Sequence, residues 1–294
     1  MHSDNPRGRL LGIGLISITF FCFAVLDAGA KWLVSSLPVM EVVFLRFFMH
    51  FVFTTALLAP RHGLALVRTR RPWLQLARGC FLPVMTGLNF WALQYLQLAE
   101  TGAIQFTVPI LIAIFAAPLL GERLDRPRWI AIFVGFIGVL VIVRPGTDAF
   151  HPALLLALAN AVLYALFNLF TRHLATYDSA EATQFIAGAV AVVTLAPFAI
   201  AVWQAPEGWL PWTVAVVIGI AGGMGHYLLA LAHRYTPASV LGPFLYQQII
   251  WMVLLGYLVF GDLPDAPVVV GCAIVIASGG YLLYRERRSA RSGG

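Results

Sequence analysis

The sequence predicts an all-α integral membrane protein: ten transmembrane helices arranged as two inverted five-helix repeats around a central cavity. Three observations predict it. The first is composition, with 60% hydrophobic and 11% charged residues over 294 positions and a mean hydropathy of +0.85; soluble domains run at roughly 45–50% apolar and 25% charged. The second is a series of ten apolar stretches of roughly 17–25 residues, the length that crosses a ~30 Å hydrocarbon core. The third is internal repetition. Phe23-Ala24-Val25-Leu26-Asp27-Ala28-Gly29-Ala30-Lys31 lies over Tyr164-Ala165-Leu166-Phe167-Asn168-Leu169-Phe170-Thr171-Arg172, and Gly121-Glu122-Arg123-Leu124-Asp125 lies over Gly261-Asp262-Leu263-Pro264-Asp265. Each copy holds an odd number of crossings, so the second must sit upside down relative to the first. Inverted repeats of this kind enclose a binding site near the bilayer midplane.

In order, the spans are placed at Leu10–Val34, Val39–Ala59, Trp73–Leu96, Gly102–Leu120, Arg128–Val143, Pro152–Thr171, Glu181–Trp203, Pro211–Ala232, Pro237–Phe260 and Ala266–Tyr284. Residues 1–145 form the first repeat, 151–285 the second, and 286–294 a cytoplasmic tail. Pro60–Pro72 is the longest inner connection and is rich in arginine; Arg144–His151, the longest outer one, separates the two copies. In span 8 the register slips, so that Gly87 lies over Gly223 and Trp91 over Tyr227. It recovers by Gly261, which leaves span 9 about one helical turn longer than span 4.

The net charge is +6 and the isoelectric point about 9.5, but the basic residues do not form a soluble patch, and no nucleic-acid partner is expected. With the N-terminus inside, all but four of the 19 Lys and Arg residues fall on inner segments. Lys31 and Arg144 are outer, and Arg46 and Arg78 lie within spans. Cytoplasmic loops collect Lys and Arg, so both termini are expected in the cytoplasm of a bacterial-type inner membrane. Arg7, Arg9 and the small residues Ala28-Gly29-Ala30 imitate a cleavable signal peptide. Removing that span would leave four in the first half and reverse the charge distribution, so it is read as retained. Cys22, Cys80 and Cys272 sit in three different spans without paired spacing, which suits packing rather than metal or a disulfide framework. No cofactor is expected.

Helices interrupted at matching places in two repeats point to a transport site. Span 4 carries Pro109 and span 9 Gly242-Pro243; span 3 has Pro83 and Gly87, and span 8 has Gly219, Gly222, Gly223 and Gly225. Close helix packing through small residues is the alternative reading. The candidate substrate-binding residues are Asn89, Trp91, Gln105, Asn160, Tyr164, Asn168, His226, Tyr227, Tyr246, Gln247 and Trp251. Asn160, Tyr164 and Asn168 recur every fourth residue and share one helix face; a polar stripe there suits a wet cavity, and interhelical hydrogen bonding is the alternative. Asp27 and Lys31 are spaced for a same-face ion pair near the outer end of span 1, with a role for Asp27 in proton coupling as the second reading. Arg46 and His50 share a face of span 2, where Arg46 has the chemistry to hold a substrate carboxylate. His226 is the lone candidate for proton sensitivity.

The ordered set of Pro38, Arg46-Phe47, Pro109, Gly121-Glu122, Gly135 and Gly138, followed by Ala238-Ser239, Gly261-Asp262 and Gly279-Gly280, resembles the drug/metabolite transporter superfamily in its ten-helix form with two EamA-type repeats. The resemblance covers residues 10–285. It departs at Asp262, which replaces the usual Glu, and at Ala187, which stands where an equivalent of Arg46 would be. The resemblance implies a structural role for Arg46 and the export of amino acids or related metabolites.

Few basic groups lie in the spans, which disfavours sugar phosphates; neutral amides among aromatic residues suit amphipathic metabolites, bulky or aromatic amino acids among them. A secondary exporter of such compounds is therefore expected, working as a monomer in the lipid bilayer on a small-molecule substrate. A multidrug exporter on the same fold is the alternative, with Asp27 as its carboxylate. A polytopic membrane enzyme is remote, because neither His-Glu-x-x-His nor Gly-x-Ser-x-Gly occurs and Asp27 has no second intramembrane aspartate to make a catalytic dyad.

Overall fold

The computed structural model describes residues 6–120, 126–174, 177–235 and 241–292. The Gly121–Asp125 and Ala238-Ser239 motifs lie outside the described residues. Every regular element described is helical: α1 Pro6–Val34, α2 Val39–His62, α3 Pro72–Leu93, α4 Leu98–Gln105, α5 Val108–Leu120, α6 Arg126–Val143, α7 Ala153–Leu174, α8 Ala180–Ala201, α9 Leu210–Tyr235, α10 Gln248–Leu255 and α11 Ala266–Ser292. Among the described residues, six helical segments are long and apolar enough to cross a bilayer: Leu10–Val34, Val39–Val67, Leu98–Phe115, Ala153–Thr171, Ala180–Ala201 and Leu210–Ala232. Trp129–Val143, Phe244–Phe260 and Ala266–Leu282 are shorter apolar helices. α3 falls short because Gln75, Arg78 and Pro83 dilute its apolar run.

Two expected spans are broken rather than continuous. The span expected at Gly102–Leu120 starts earlier, at Leu98, where Gln97 and Glu100 form a reciprocal capping box. It then divides at Phe106 and Thr107 into α4 and α5. Pro109 has no N–H to donate back to the carbonyl of Gln105, and the Thr107 hydroxyl turns back to the Ile104 carbonyl at 2.7 Å. The stretch ending at Phe260 begins as a 3-10 segment at Gly242–Gln247, passes into α10 and closes in a π-helical turn at Gly256–Phe260. Gly261 then reverses the chain at φ 73°, a left-handed conformation that costs glycine little.

Small residues set the helix crossings, as expected where lipid supplies no hydrophobic drive between helices. At the α6–α11 crossing, a Cβ on Gly271 would stand 2.7 Å from the Gly138 carbonyl oxygen, and one on Gly138 2.9 Å from that of Gly271. Gly219 of α9 packs directly on the Met49–His50 backbone of α2. One buried apolar cluster joins α1, α2 and parts of α3, α8 and α9; a second joins α4–α7 with α11. The outer side of α6 exposes Phe133, Phe136, Ile137 and Leu140, an apolar stripe suited to lipid.

Outside the spans, Asp178 is clasped by the loop before α3. It accepts hydrogen bonds from the Arg70 N–H at 2.8 Å, from the Gln75 amide at 2.9 Å and from the Thr69 hydroxyl. Partial burial raises its pKa, but these bonds and the Arg70 charge outweigh it and hold the carboxyl below its ordinary range. A depressed folded-state pKa gives stability that is present above the unfolded value, near 3.9, and lost as pH falls through the folded one. Asp178→Asn should therefore lower the melting temperature at pH 7, and the gap should close below about pH 4. A gap that stays constant across that range would refute the clasp.

Candidate functional site

α2 sets the charged part of the site. Arg46 and His50 lie one turn apart on its buried face, and Gly188 of α8 and Gly222 of α9 leave room for them; a Cβ on Gly222 would stand 3.1 Å from an Arg46 terminal nitrogen. Arg46 is only 4% exposed and lies 4.0 Å from the Phe47 ring centre, with Nε and Nη1 lacking any hydrogen-bond partner. Arg78 of α3, 8% exposed, donates to the Thr171 hydroxyl at 2.9 Å and to the Thr183 carbonyl at 3.4 Å, over the Phe167 ring. His226 of α9 sits between the Phe23 ring, 5.1 Å away, and the His50 ring, 6.1 Å away. Gln184 of α8 meets His50 at 3.4 Å.

Two adjoining cavities share Gln184 and His226. One, of about 290 Å³, is lined by Arg46, His50, Arg78 and Phe167. The other, about 500 Å³ and partly open to the surroundings, runs along Thr54, Leu58, Glu181, Gly223 and Tyr227.

Asp27 is buried on α1 and accepts a hydrogen bond from the Asn89 amide at 2.9 Å, close enough to Arg46 for the two charges to interact. The expected Asp27–Lys31 pair is not made. Lys31 reaches instead to Asp262 at 2.8 Å and to the Leu96 carbonyl at 2.9 Å, above the Phe260 ring. The reversal at Gly261 carries Asp262 to the end of α1, and a carboxylate plus a carbonyl give the ammonium more than one same-helix partner would. Asp262 is thus a tie between the two halves of the chain and not only the end marker of a span.

A second polar group gathers where α4–α5 and the 3-10 segment break. The Gln105 Oε1, the Tyr246 hydroxyl and the Gln247 Nε2 are all buried without a partner. The Tyr246 ring meets Phe106 edge-on at 5.1 Å, its hydroxyl faces Gly279, and the Gln247 Oε1 accepts from Ser17 at 3.2 Å. Trp251 packs edge-on to Phe21. The α7 stripe stays within its own surroundings: Asn160 is buried, Tyr164 stacks on Phe167, and the Asn168 amide donates to the Tyr164 carbonyl at 2.7 Å. None of these three lines either cavity. Trp91 is 45% exposed and lines neither. Arg78, Phe167, Thr54 and Gln184 line the cavities without having been expected there; Arg78 alone carried a signal, as an arginine inside an expected span. Among the described residues no cluster of His, Cys, Asp and Glu has the makings of a metal site.

The comparison with known sequences decides the family. A profile of the EamA-like transporter family matches residues 10–144 and again residues 151–284. The chain belongs to the EamA-like transporter family. It is therefore an integral membrane transporter and not an enzyme, as the ordered motifs implied. An S-adenosylmethionine uptake transporter of Rickettsia felis is 26% identical, over 98% of this chain and 97% of that protein. A riboflavin transporter of Vibrio cholerae is 28% identical over 76% of each chain. The pseudopaline exporter CntI of Pseudomonas aeruginosa is 26% identical, over 91% of this chain and 94% of that one. A crystal structure at 22% identity superposes with a TM-score of 0.64 over 97% of this EamA-like chain and 99% of its own, which establishes the shared fold.

Proposed function

We propose that this EamA-like transporter moves an amino acid or amino-acid-derived metabolite across a bacterial inner membrane by alternating access between two inverted five-helix halves. The observation that carries the reading is the set of unpartnered buried polar atoms at the two helix breaks. Gln105 stands just before the break at Pro109 and Tyr246 just after Pro243, and each holds a buried polar atom with no partner among the described residues. A substrate group with hydrogen-bonding capacity would satisfy them. Burial of Asp27 and Arg46 side by side without an ion pair supports a zwitterion, which offers each its opposite charge.

Several features support the inverted repeat with ten crossings. The family profile matches twice. Helix packing exchanges between halves: α1 on α9 is mirrored by α7 on α3, α2 on α9 by α8 on α3, and α5 on α7 by α10 on α1. The Asp178 clasp has a counterpart in Glu41, which accepts from the Gln204 N–H at 2.9 Å. Lys31 and Asp262 fall in register with Arg172 and Glu122, of which Glu122 lies outside the described residues. No nucleotide-binding motif occurs in the chain, so the substrate gradient, alone or with an ion, drives net flux. In cells that overproduce the metabolite, that flux is export. The cationic-drug reading has less support, because Asp27 is engaged by Asn89 beside Arg46.

Counterflow into proteoliposomes preloaded with S-adenosylmethionine, phenylalanine, leucine or methionine tests the proposal. Exchange of at least one of these above empty-liposome background is expected, with riboflavin as the uncharged comparison. Exchange of riboflavin alone, or of none, would defeat the amino-acid reading.

A further inference from the structure

We propose that the cavity between Arg46 and Arg78 is an oxyanion subsite that takes a carboxylate or phosphate group. Resting on the transport reading above, the subsite holds the anionic end of the substrate. Two guanidinium groups, from α2 and α3, enter one space of about 290 Å³, and among the described residues no Asp or Glu lines it. Buried charges in a membrane protein are normally paired or face a functional cavity. Arg78 is held in one plane by Thr171, Thr183 and the Phe167 ring. Arg46 rests on Phe47 with two nitrogens left unbonded. Each is a charged N–H donor from which a carboxylate or phosphate oxygen can accept.

The walls fit the same purpose. Ala187 stands at the repeat equivalent of Arg46, and with Gly188 it leaves empty the volume that a second long side chain would fill. Gln184 and the two histidines supply further polar atoms. The neighbouring cavity of about 500 Å³ shares Gln184 and His226 and provides the approach. The arginine cavity is the smaller of the two and is suited to one compact group. It holds one end of a metabolite, not the whole.

Direct binding to the full chain in nanodiscs tests the proposal, by titration calorimetry and thermal shift at constant ionic strength. Sodium acetate and sodium phosphate are separate arms against sodium chloride. Acetate, phosphate or both should bind and raise the melting temperature beyond chloride; the stronger arm identifies the source chemistry. Arg78→Lys keeps the charge and loses the fork, and should weaken binding at least about tenfold. Ala187→Leu, which fills the cavity and removes no charge, should do the same and covers the case in which an arginine variant fails to fold. Arg61→Gln, on the exposed end of α2, should leave binding unchanged. No anion effect beyond chloride, or binding indifferent to both Arg78→Lys and Ala187→Leu, would overturn the proposal. Anion binding without counterflow of any amino-acid-type compound would retain the subsite and remove the transport reading; counterflow without anion binding would do the reverse.

Discussion

Tyr246→Phe and Gln105→Leu should make the protein more stable and a poorer transporter. Each removes a buried polar atom that has no partner, and leaves an apolar side chain of similar shape. A buried unsatisfied group costs about 1–3 kcal/mol, so its removal should raise the melting temperature by a few degrees; for a chain somewhat smaller than this one, 1 kcal/mol corresponds to roughly 2–4 °C. If those atoms exist to hold substrate, the same variants lose hydrogen bonds made only when it is bound. Counterflow should then fall by about tenfold for each, since every 1.4 kcal/mol is a factor of ten. The two effects run in opposite directions, and that opposition is the signature of a site kept unsatisfied for function. A melting temperature that drops together with the rate would mean these atoms serve packing, and the proposed site would have to move.

Gly271→Val should prevent recovery of folded protein. The first atom of any side chain at this position would stand 2.7 Å from the Gly138 carbonyl oxygen and 3.2 Å from the Ile142 nitrogen. Those neighbours are backbone and cannot rotate aside. Overpacking in a tolerant core costs about 1–3 kcal/mol; here α6 and α11 must separate along their whole contact, so the cost exceeds that range. Size-exclusion chromatography after detergent extraction should show loss of most of the monodisperse peak. Gly14→Ala, where an added Cβ meets nothing, should leave the peak intact. Equal recovery of the two variants would show that the α6–α11 contact is not tight.

The glycines show what sequence reasoning reached and where it stopped. Gly135 and Gly138 stood out as motif residues, and Gly219 and Gly223 as a helix-contact spacing, because small residues at regular intervals have few other uses in lipid. Which helix each one meets was not legible: Gly138 meets α11 and Gly219 meets α2. Proline gave the breaks in the same way. Pro109 and Pro243 marked interrupted helices, since a missing N–H acts wherever it stands, but not that Gln105 and Tyr246 would be left unsatisfied beside them. Charges were read least well. Asp27 and Lys31 have the spacing of a pair, yet Lys31 crosses to Asp262, 231 residues away, and Asp27 turns to Asn89. Arg78 was visible as an arginine in a span, while its meeting with Arg46 was not.

By itself the sequence determined the membrane class, the family and the positions of the helix breaks. These follow from composition, periodicity and the covalent nature of glycine and proline, which are the same whatever surrounds them. Only the tertiary structure decided which buried charges meet, which polar atoms go unpartnered and which face of α7 is sealed by its own contacts. Such pairings join residues far apart in the chain, and a lysine's choice between two carboxylates turns on distances that no local pattern encodes.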